Sequence, residues 1–252
     1  MSRTHQSIAL VTGASRGIGA ATARQLSAQG YIVCVNFHAR EDAALAVVKS
    51  ITEAGGRAFA VQADVSQEAD VLKLFARIDE VGLPLTQLVN NAGILFTQSK
   101  LVDMSAERIN RVLLANVTGT LLCAREAVKR MGRSYGGMGG SIVNVSSGAS
   151  RLGSPNEYVD YAASKGAVDT FTIGLSKEVA GEGVRVNGVR PGLIHTDIHA
   201  DGGEPNRIER LQDRIPLQRG GLPEEVAEAI CFLLSDASSF TTGSIIDVTG
   251  GI

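Results

Sequence analysis

The sequence predicts a doubly wound α/β fold in which a single domain carries a seven-stranded parallel sheet with helices on both faces. Short apolar runs without polar alternation recur along the chain, as is typical of parallel strands covered on both sides. These runs alternate with longer helix-like segments, and glycines cluster at the turns between them. With 252 residues, no linker and no internal repeat, we expect residues 1–252 to form one domain.

Composition excludes several classes of partner. The net charge is -2 and no basic run is present, so we expect neither nucleic acid nor a membrane as partner. The sequence has no signal peptide and no apolar span of about 20 residues, which predicts a cytoplasmic protein. Cys34, Cys123 and Cys231 are widely separated in apolar surroundings. They are interpreted as small buried hydrophobes, and no metal site is expected.

The first strand, Ile8–Val11, runs into the sequence TGASRGIG, and a helical pattern then continues to Ala28. Glycines at such a junction permit a tight turn and let backbone N–H groups approach a pyrophosphate at the helix N-terminus. Strand, glycines and helix in this order predict a dinucleotide site. The expected contacts are Gly13, Ser15, Arg16, Gly17, Ile18 and Gly19.

The end of the second strand, 31–37, bears on the choice of cofactor. A dinucleotide fold often places an acidic residue there for the adenosine ribose, but here no carboxylate occurs before Glu41. Arg16 and Arg40, with His38, could instead bind a 2′-phosphate. The sequence therefore favours NADP(H), with NAD(H) as the alternative. Expected contacts at this strand end are Asn36, Phe37 and His38.

The next two strands also end in candidate cofactor residues. A helix over 41–54 precedes a strand over Arg57–Gln62, and Asp64 and Val65 follow. Asp64 could accept a hydrogen bond from an adenine amino group or cap the helix that begins at about residue 67. The strand at 88–89 leads into the sequence NNAG, where Asn90, Ala92 and Gly93 suit a loop beside a cofactor.

A long helix is predicted over 105–130, opened by a capping signal at Ser105. Asn116 lies inside it, where a structural role is as compatible with the sequence as a functional one. After a glycine-rich loop at 134–140, a strand over 141–145 ends at Ser146 and Ser147. Hydroxyls at the carboxyl end of a parallel strand stand in the crevice where ligands bind.

The sequence YAASK places Tyr161 and Lys165 on one face of a helix, one turn apart. A phenol ordinarily loses its proton near pH 10, so acid–base work near neutrality requires about 4 kcal/mol of preferential help for its anion. One ammonium about 4 Å away supplies roughly that much near a protein surface. Lys165 is therefore a sufficient physical reason for Tyr161 to transfer protons.

The rest of the chain completes the fold. The Tyr161 helix continues to about 181, a strand over 184–189 ends in the sequence RPG, and a helix and strand follow from Pro223 and from 244. Between them, 193–215 is polar with weak periodicity, which predicts a mobile substrate loop. Its lone histidines, His195 and His199, are interpreted as exposed loop residues, not metal ligands.

Together these motifs, TGASRGIG, NNAG, YAASK and the PG of RPG, resemble the short-chain dehydrogenase/reductase family over essentially the whole chain. The sugar-dehydrogenase-like and 3-oxoacyl-reductase-like members are the most similar. The resemblance implies a Rossmann fold with Tyr161 as catalytic acid/base and Lys165 lowering its pKa while binding the nicotinamide ribose. It further implies that Ser147, or alternatively Ser146, bonds the substrate oxygen and that Asn116 holds a water linked to Lys165.

The same resemblance implies cofactor contacts and an assembly. The implied contacts include Asp64, Asn90, Tyr161, Lys165, Pro191, Gly192, Ile194 and Thr196. The acidic residue of NAD-preferring members falls at about Phe37, which agrees with the preference for NADP(H). A homotetramer is implied, with contacts through the helices around 105–130 and 159–181.

The predicted activity is hydride transfer between a nicotinamide and a secondary alcohol or ketone, with sugars and polyols as candidate substrates. The alternative within the enzyme class is reduction of 3-oxoacyl thioesters on an acidic carrier protein, which would favour a basic patch. Candidate members of that patch are Arg207, Arg210, Arg214 and Arg219, interleaved with Glu204, Glu209 and Asp213. A catalytically silent dinucleotide-sensing protein is the non-enzyme alternative; such a protein is expected to lack the serine, tyrosine or lysine.

Overall fold

The computed structural model describes residues 7–252 and shows one seven-stranded sheet in the order β3-β2-β1-β4-β5-β6-β7. All neighbouring strands pair in parallel, as predicted. The strands are β1 (Ile8–Val11), β2 (Ile32–Phe37), β3 (Arg57–Gln62), β4 (Leu85–Asn90), β5 (Gly140–Val145), β6 (Val184–Pro191) and β7 (Ile245–Val248).

Helices cover both faces of this sheet. They are α1 (Gly17–Ala28), α2 (Glu41–Glu53), α3 (Glu68–Asp79), α4 (Ala106–Leu113), α5 (Gly119–Met131), α6 (Ala149–Leu152), α7 (Val159–Glu178), α8 (Ile198–Asp201), α9 (Arg207–Leu211) and α10 (Pro223–Leu234). Single 3-10 turns lie at Leu101–Asp103, Arg133–Tyr135, Ala180–Glu182, Gln212–Arg214 and Asp236–Ser238. No helix within residues 7–252 has both the length and the apolarity to cross a membrane.

The four residues of β1 show why the strands are continuous apolar runs and do not alternate between apolar and polar residues. Ala9 and Val11 pack with α1, α2 and α10 on one face, whereas Ile8 and Leu10 pack with α3 and α5 on the other. Every side chain of such a strand is buried, so every position favours an apolar residue. The three cysteines are free and buried, as predicted, and burial raises the pKa of the Cys123 and Cys231 thiols to about 12.

Strand order reverses between β1 and β4, and this reversal positions the site. Chain connections leave β1 and β4 towards opposite sides, so a crevice opens at their carboxyl ends. The turn after β1 and the loop after β4 therefore meet: the Thr12 N–H donates to the Val89 carbonyl at 3.0 Å. The glycine turn and the sequence NNAG lie side by side for this reason.

The helix predicted over 105–130 is interrupted. Ser105 caps α4 by accepting a hydrogen bond from the Arg108 N–H at 3.2 Å, as expected, but a π-helical turn, Leu114–Thr118, separates α4 from α5. The extra residue turns the side chain of Asn116 inward, where its amide bonds the backbone of Ile94. Sequence periodicity does not register a single-turn bulge of this kind.

Other boundaries also differ from the predictions. β4 begins at Leu85, three residues before the predicted start. The apolar pattern misses this extension because Gln87, which pairs with Ala9, and Thr86, which lies at an irregularity of the ladder, are both polar. The segment 193–215 contains α8, α9 and a 3-10 turn instead of irregular chain. Helices of four or five residues are too short to produce a visible 3.6-residue period.

Candidate active site

The glycine turn has a shape that its glycines make possible. Gly13 and Gly17 have positive φ angles of 60° and 54°, a conformation that favours glycine. A Cβ atom on Gly19 would lie 2.5 Å from the Asn91 Nδ2 atom and 2.7 Å from the Gly13 carbonyl oxygen. The turn is therefore packed tightly against the loop after β4, with its backbone open to a ligand.

Two residues that the sequence interpretation did not single out hold this turn in place. The Thr12 hydroxyl oxygen accepts hydrogen bonds from the N–H groups of Asn91 and Ala92, both at 3.0 Å. The Asn91 side chain donates to the carbonyls of Thr12 and Gly13 at 2.9 and 3.0 Å. Thr12 is the first residue of the motif TGASRGIG, but its partners lie 79 and 80 residues away, so no local pattern could reveal its role.

Asn36 has a different environment from the one predicted. Its side chain is buried, accepts a hydrogen bond from the Gly13 N–H at 3.2 Å and donates to the Ala63 carbonyl at 3.1 Å. Phe37 is also buried. At the end of β2, exposed side chains come from His38 and Arg40. The Asn36 side chain supports the glycine turn from the interior, and its contact with a cofactor stays a prediction.

Asp64, Val65 and Asn90 are also held by the protein. Asp64 accepts a hydrogen bond from the Ser66 N–H at 2.9 Å and lies 3.8 Å from the His38 imidazole. Of the two roles considered for it, capping is not found, because Gln67 precedes α3 and no side chain caps that helix. Val65 is buried against Gly119, whose Cβ would come within 2.9 Å of it. The Asn90 amide donates to the Asn144 side chain at 2.9 Å in the interior. Any contact of these three residues with a cofactor would come from atoms that do not take part in the bonds and packing just described.

A cavity of about 480 Å³ opens at the carboxyl ends of the strands. The predicted site residues that line it are Ile18, Gly93, Ser147, Tyr161, Lys165, Pro191, Gly192, Ile194 and Thr196. The remaining predicted residues lie outside its wall: Gly13, Ser15, Arg16, Gly17, Gly19, Asn36, Phe37, His38, Asp64, Val65, Asn90, Ala92 and Asn116. The fold thus brings the proposed chemistry and one end of the glycine turn together around one space.

Tyr161 and Lys165 meet in this cavity as their spacing predicts. Both belong to α7, and the Lys165 ammonium lies 5.6 Å from the centroid of the Tyr161 ring. Lys165 is 4% exposed and donates to the Val145 carbonyl at 2.8 Å. The ammonium is therefore fixed between the end of β5 and the phenol.

Burial dominates the electrostatics of the pair. Burial raises the pKa of Tyr161 above its ordinary value, and a hydrogen bond with Ser147 lowers it by less. Burial lowers the pKa of Lys165 to about 8, against the opposing charge of Asp169 one turn further along α7. The net effect on the pKa of Tyr161 is therefore upward, and the prediction that Lys165 lowers it stays a prediction. At neutral pH the phenol holds its proton, which is the form that can donate one.

The two serines after β5 have distinct environments. The Ser146 hydroxyl is buried and donates to the Lys165 carbonyl at 3.1 Å. Both serines line the cavity, but it is the Ser147 hydroxyl that accepts a hydrogen bond from the Ala149 N–H at 3.1 Å and lowers the pKa of Tyr161. Ser147 is therefore the serine beside the phenol, whereas Ser146 fastens β5 to α7.

Asn116 joins the loop after β4 to α7. Its amide donates to the Ile94 carbonyl at 2.9 Å and to the Ser164 hydroxyl at 3.0 Å, and its side-chain oxygen accepts from the Ile94 N–H at 2.7 Å. A Cβ on Gly93 would lie 3.4 Å from both Asn116 and the Lys165 ammonium. Asn116 is thus a close neighbour of Lys165, and its part in a water chain stays a prediction.

Comparison with known proteins identifies the family. A family model described as enoyl-(acyl carrier protein) reductase matches residues 13–252. A chain from Serratia marcescens described as a short-chain dehydrogenase/reductase superimposes with a TM-score of 0.89 at 29% identity, covering 99% of each chain. The chain belongs to the short-chain dehydrogenase/reductase family. It is therefore an oxidoreductase.

Relatives within the family differ in what their names describe. An uncharacterized oxidoreductase, YgfF of Escherichia coli (strain K12), is 62% identical over 97% of this chain and 99% of its own. A 3-oxoacyl-[acyl-carrier-protein] reductase of Synechocystis is 42% identical over 97% and 96%. A Burkholderia cenocepacia short-chain dehydrogenase solved in complex with NADP has a TM-score of 0.89 at 32% identity over 99% of both chains.

In this member of the family, ion pairs tie down the segment 193–215. Arg207 pairs with Glu157, which precedes α7, and with Glu204; Arg210 pairs with the same two carboxylates. The Tyr158 hydroxyl donates to the Gly202 carbonyl at 3.4 Å. The segment is therefore a structured wall of the cavity.

The charges of this segment largely neutralise one another. Arg207 and Arg210 therefore do not form the basic patch that an acidic carrier protein would favour.

The two histidines of that segment differ. His195 is exposed, as expected, but His199 is half-buried and lines the cavity. Its Nε2 atom lies 3.1 Å from the Ile194 carbonyl, and burial lowers the pKa of the imidazole. His199 is consequently neutral near pH 7 and donates from Nε2 to that carbonyl. The interpretation of His199 as a solvent-exposed loop residue was wrong.

The two serines give a direct test. Replacing Ser147 by Ala should reduce carbonyl reduction by about 10²-fold, because a positioned donor to the reacting oxygen is lost. Replacing Ser146 by Ala should mainly destabilise the fold, by about 1 kcal/mol, because a buried hydrogen bond is lost. Turnover and urea unfolding of both variants would be measured. Equal losses of turnover without any loss of stability would contradict the assignment.

Proposed function

We propose that this protein is an NAD(P)-dependent oxidoreductase that transfers a hydride between the nicotinamide and a secondary alcohol or ketone. Residues 1–252 would form a single dinucleotide-binding domain, with 193–215 as the substrate segment. The observation that carries the proposal is the grouping of Tyr161, Lys165 and Ser147 around one cavity that reaches the glycine turn at Ile18.

The residues present fit a dinucleotide. Gly13, Gly17 and Gly19 carry no Cβ atom at three positions of the turn, and the N-terminus of α1 has no side-chain cap. The first N–H groups of α1 are therefore available to a pyrophosphate. Gly93, Lys165, Ile194 and Thr196 line the same cavity and would border the nicotinamide half. A relative of the same fold solved with NADP supports this cofactor class.

When bound, the reduced nicotinamide supplies a hydride to the carbonyl carbon. Tyr161 donates its phenolic proton to the carbonyl oxygen, so that the ketone becomes an alcohol, and Ser147 holds that oxygen by a hydrogen bond. The Lys165 charge offsets the negative charge left on the phenol. Because the pKa of Tyr161 is raised, neutral pH favours carbonyl reduction, and alcohol oxidation should accelerate as the pH rises.

Cofactor choice rests on charge. No carboxylate follows β2 before Glu41, and Arg40 there is exposed, so we propose NADP(H) as the preferred cofactor and NAD(H) as the alternative. NADPH should bind more tightly than NADH, and Arg16→Gln should shrink that difference roughly tenfold, as expected for a charged hydrogen bond.

Dissociation constants from nicotinamide fluorescence would test this preference. Arg24→Gln is the matched control. Arg24 lies on α1, the helix that Arg16 immediately precedes, and it donates to the Ser50 hydroxyl on α2. Equal affinity of the unmodified protein for the two cofactors would contradict the preference.

Sugars, polyols and simple secondary alcohols are the substrates we propose first. Reduction of 3-oxoacyl thioesters is the second candidate, favoured by the 42% identity to a protein of that name. A panel of both classes, assayed with both cofactors at the nicotinamide absorbance band, would separate them. Failure on every sugar and alcohol with clear activity on 3-oxoacyl thioesters would select the second.

The same panel tests the silent dinucleotide-sensing alternative. Such a protein would bind cofactor and turn over no carbonyl or alcohol. The presence of Ser147, Tyr161 and Lys165 around one cavity favours the enzyme.

We also propose a cytoplasmic homotetramer acting on small molecules, without a nucleic-acid or membrane partner. Exposed apolar side chains on the helical segments 105–130 and 159–181 support the homotetramer. They are Leu113, Leu114, Leu121 and Ile173, each more than a third exposed.

A further inference from the structure

Arg16 connects the glycine turn to the substrate segment. Its Nη1 atom lies 3.1 Å from the Asp197 carboxylate, and its Nη2 atom bonds Asp201. The two elements also touch beside this pair: a Cβ on Gly17 would lie 3.1 Å from the Thr196 methyl group. We call Arg16, Asp197 and Asp201 the arginine clasp. It joins residues 181 and 185 positions apart in the sequence.

The charge balance of the clasp matters for a phosphate. One guanidinium faces two carboxylates, so the clasp carries a net charge of one negative unit. The fork of a guanidinium binds one planar anion at a time with both its terminal nitrogens, and here each terminal nitrogen already has a carboxylate partner. A phosphate that approached the intact clasp would meet net repulsion, so it must displace the carboxylates.

We propose that Asp197 and Asp201 set the selectivity between NADP(H) and NAD(H) by competing with the adenosine 2′-phosphate for Arg16. This inference rests on the proposed function, because it requires a dinucleotide at the glycine turn with its phosphate near Arg16. The two carboxylates weaken the preference for NADP(H) that Arg16 alone would confer. They are specificity residues that act through Arg16.

Displacement of the carboxylates also affects the substrate cavity. Asp201 ends α8, and Asp197 immediately precedes this helix. Ile198 and His199 of the same helix line the cavity. A 2′-phosphate on Arg16 releases α8 from the glycine turn, whereas a cofactor without that phosphate leaves the clasp closed. Occupancy of the phosphate site is thereby coupled to one wall of the substrate cavity.

Binding of 2′,5′-ADP and 5′-ADP, measured by calorimetry, tests the competition without any turnover. The double variant Asp197→Asn, Asp201→Asn should bind 2′,5′-ADP roughly two- to thirtyfold more tightly, the range expected for two exposed ion pairs. Its affinity for 5′-ADP should not change. Each single variant should show part of the gain.

The matched control is Glu209→Gln, Asp213→Asn. It removes the same charge from the same segment, and neither side chain forms an ion pair with any residue in the range 7–252. An equal gain in the control would show a general charge effect and overturn the proposal. An unchanged affinity of the Asp197, Asp201 variant for 2′,5′-ADP would also overturn it.

Arg16→Gln separates this inference from the proposed cofactor preference. If this variant binds 2′,5′-ADP as tightly as the unmodified protein, Arg16 is not the phosphate ligand and both ideas fail. If it loses affinity while the aspartate variants gain none, the competition alone fails.

Amide hydrogen exchange over 197–201 tests the coupling to α8. Saturating 2′,5′-ADP should accelerate exchange there in the unmodified protein, and 5′-ADP should not. Equal exchange with the two ligands would overturn the coupling, even if the affinities support the competition.

Discussion

Replacing Tyr161 by Phe should reduce carbonyl reduction by about 10²–10⁴-fold, the usual contribution of a positioned general acid. The substitution removes one hydroxyl from the cavity wall and leaves the ring on α7 in place. The glycine turn is held by hydrogen bonds of Gly13 with Asn36 and Asn91 and not by the Tyr161 hydroxyl. The dissociation constant for the cofactor should therefore remain within a few-fold. Turnover of the best carbonyl of the panel and cofactor fluorescence would be measured on the same preparation.

Tyr158→Phe is a matched control for this experiment. Tyr158 lines the same cavity and loses the same atom, but its hydroxyl bonds the Gly202 carbonyl at 3.4 Å and has no lysine one turn later. It should retain turnover within several-fold. Normal turnover by the Tyr161 variant would remove this tyrosine from the mechanism.

Replacing Lys165 by Met should abolish most turnover and at the same time stabilise the fold. The pKa of Lys165 is about 8 in the folded protein and 10.5 ordinarily, so burying its charge costs about 3 kcal/mol at neutral pH. The variant also loses the hydrogen bond to the Val145 carbonyl, which reduces this gain in stability by about 1 kcal/mol. The free energy of unfolding at pH 7 should therefore increase by about 2 kcal/mol in the variant.

The pH dependence of this gain has a definite sign. Below pH 8 the ammonium is charged in both the folded and the unfolded chain, and its burial cost is fully present. Between pH 8 and the ordinary value of 10.5, the folded protein releases the proton and the cost disappears. The stabilities of the two proteins should thus converge as the pH rises.

Urea unfolding at pH 7 and at pH 9.5 measures this difference. Lys177→Met is the control, because Lys177 is exposed near the end of the same helix and should show little effect at either pH. A Lys165 variant that is less stable than the unmodified protein at pH 7, or a gain that does not change with pH, would contradict the burial argument.

The sequence predicts the sheet and the cavity residues for a common reason. Strands buried on both faces are apolar throughout, as Ile8–Val11 shows, and the glycine turn is local to one strand and one helix. Tyr161 and Lys165 are one helical turn apart, so their proximity follows from helix geometry alone. Local pattern is sufficient for each of these features.

The remaining features depend on contacts between distant parts of the chain. The hydrogen bonds of Asn36 with Gly13 and of Asn116 with Ile94 give two predicted site residues a structural role that no local pattern shows. The pairs between Arg16 and the α8 carboxylates join segments that no periodicity relates. The raised pKa of Tyr161 likewise follows from burial of its hydroxyl in the folded chain, which the spacing to Lys165 does not reveal.

The most direct measurement of the central claim is the fate of deuterium carried at C4 of the reduced nicotinamide during turnover of the best carbonyl. Direct hydride transfer beside Tyr161 predicts that the label from the transferred position appears on the carbinol carbon of the alcohol, while the hydroxyl proton comes from solvent. An alcohol formed without that label on its carbon would contradict the account.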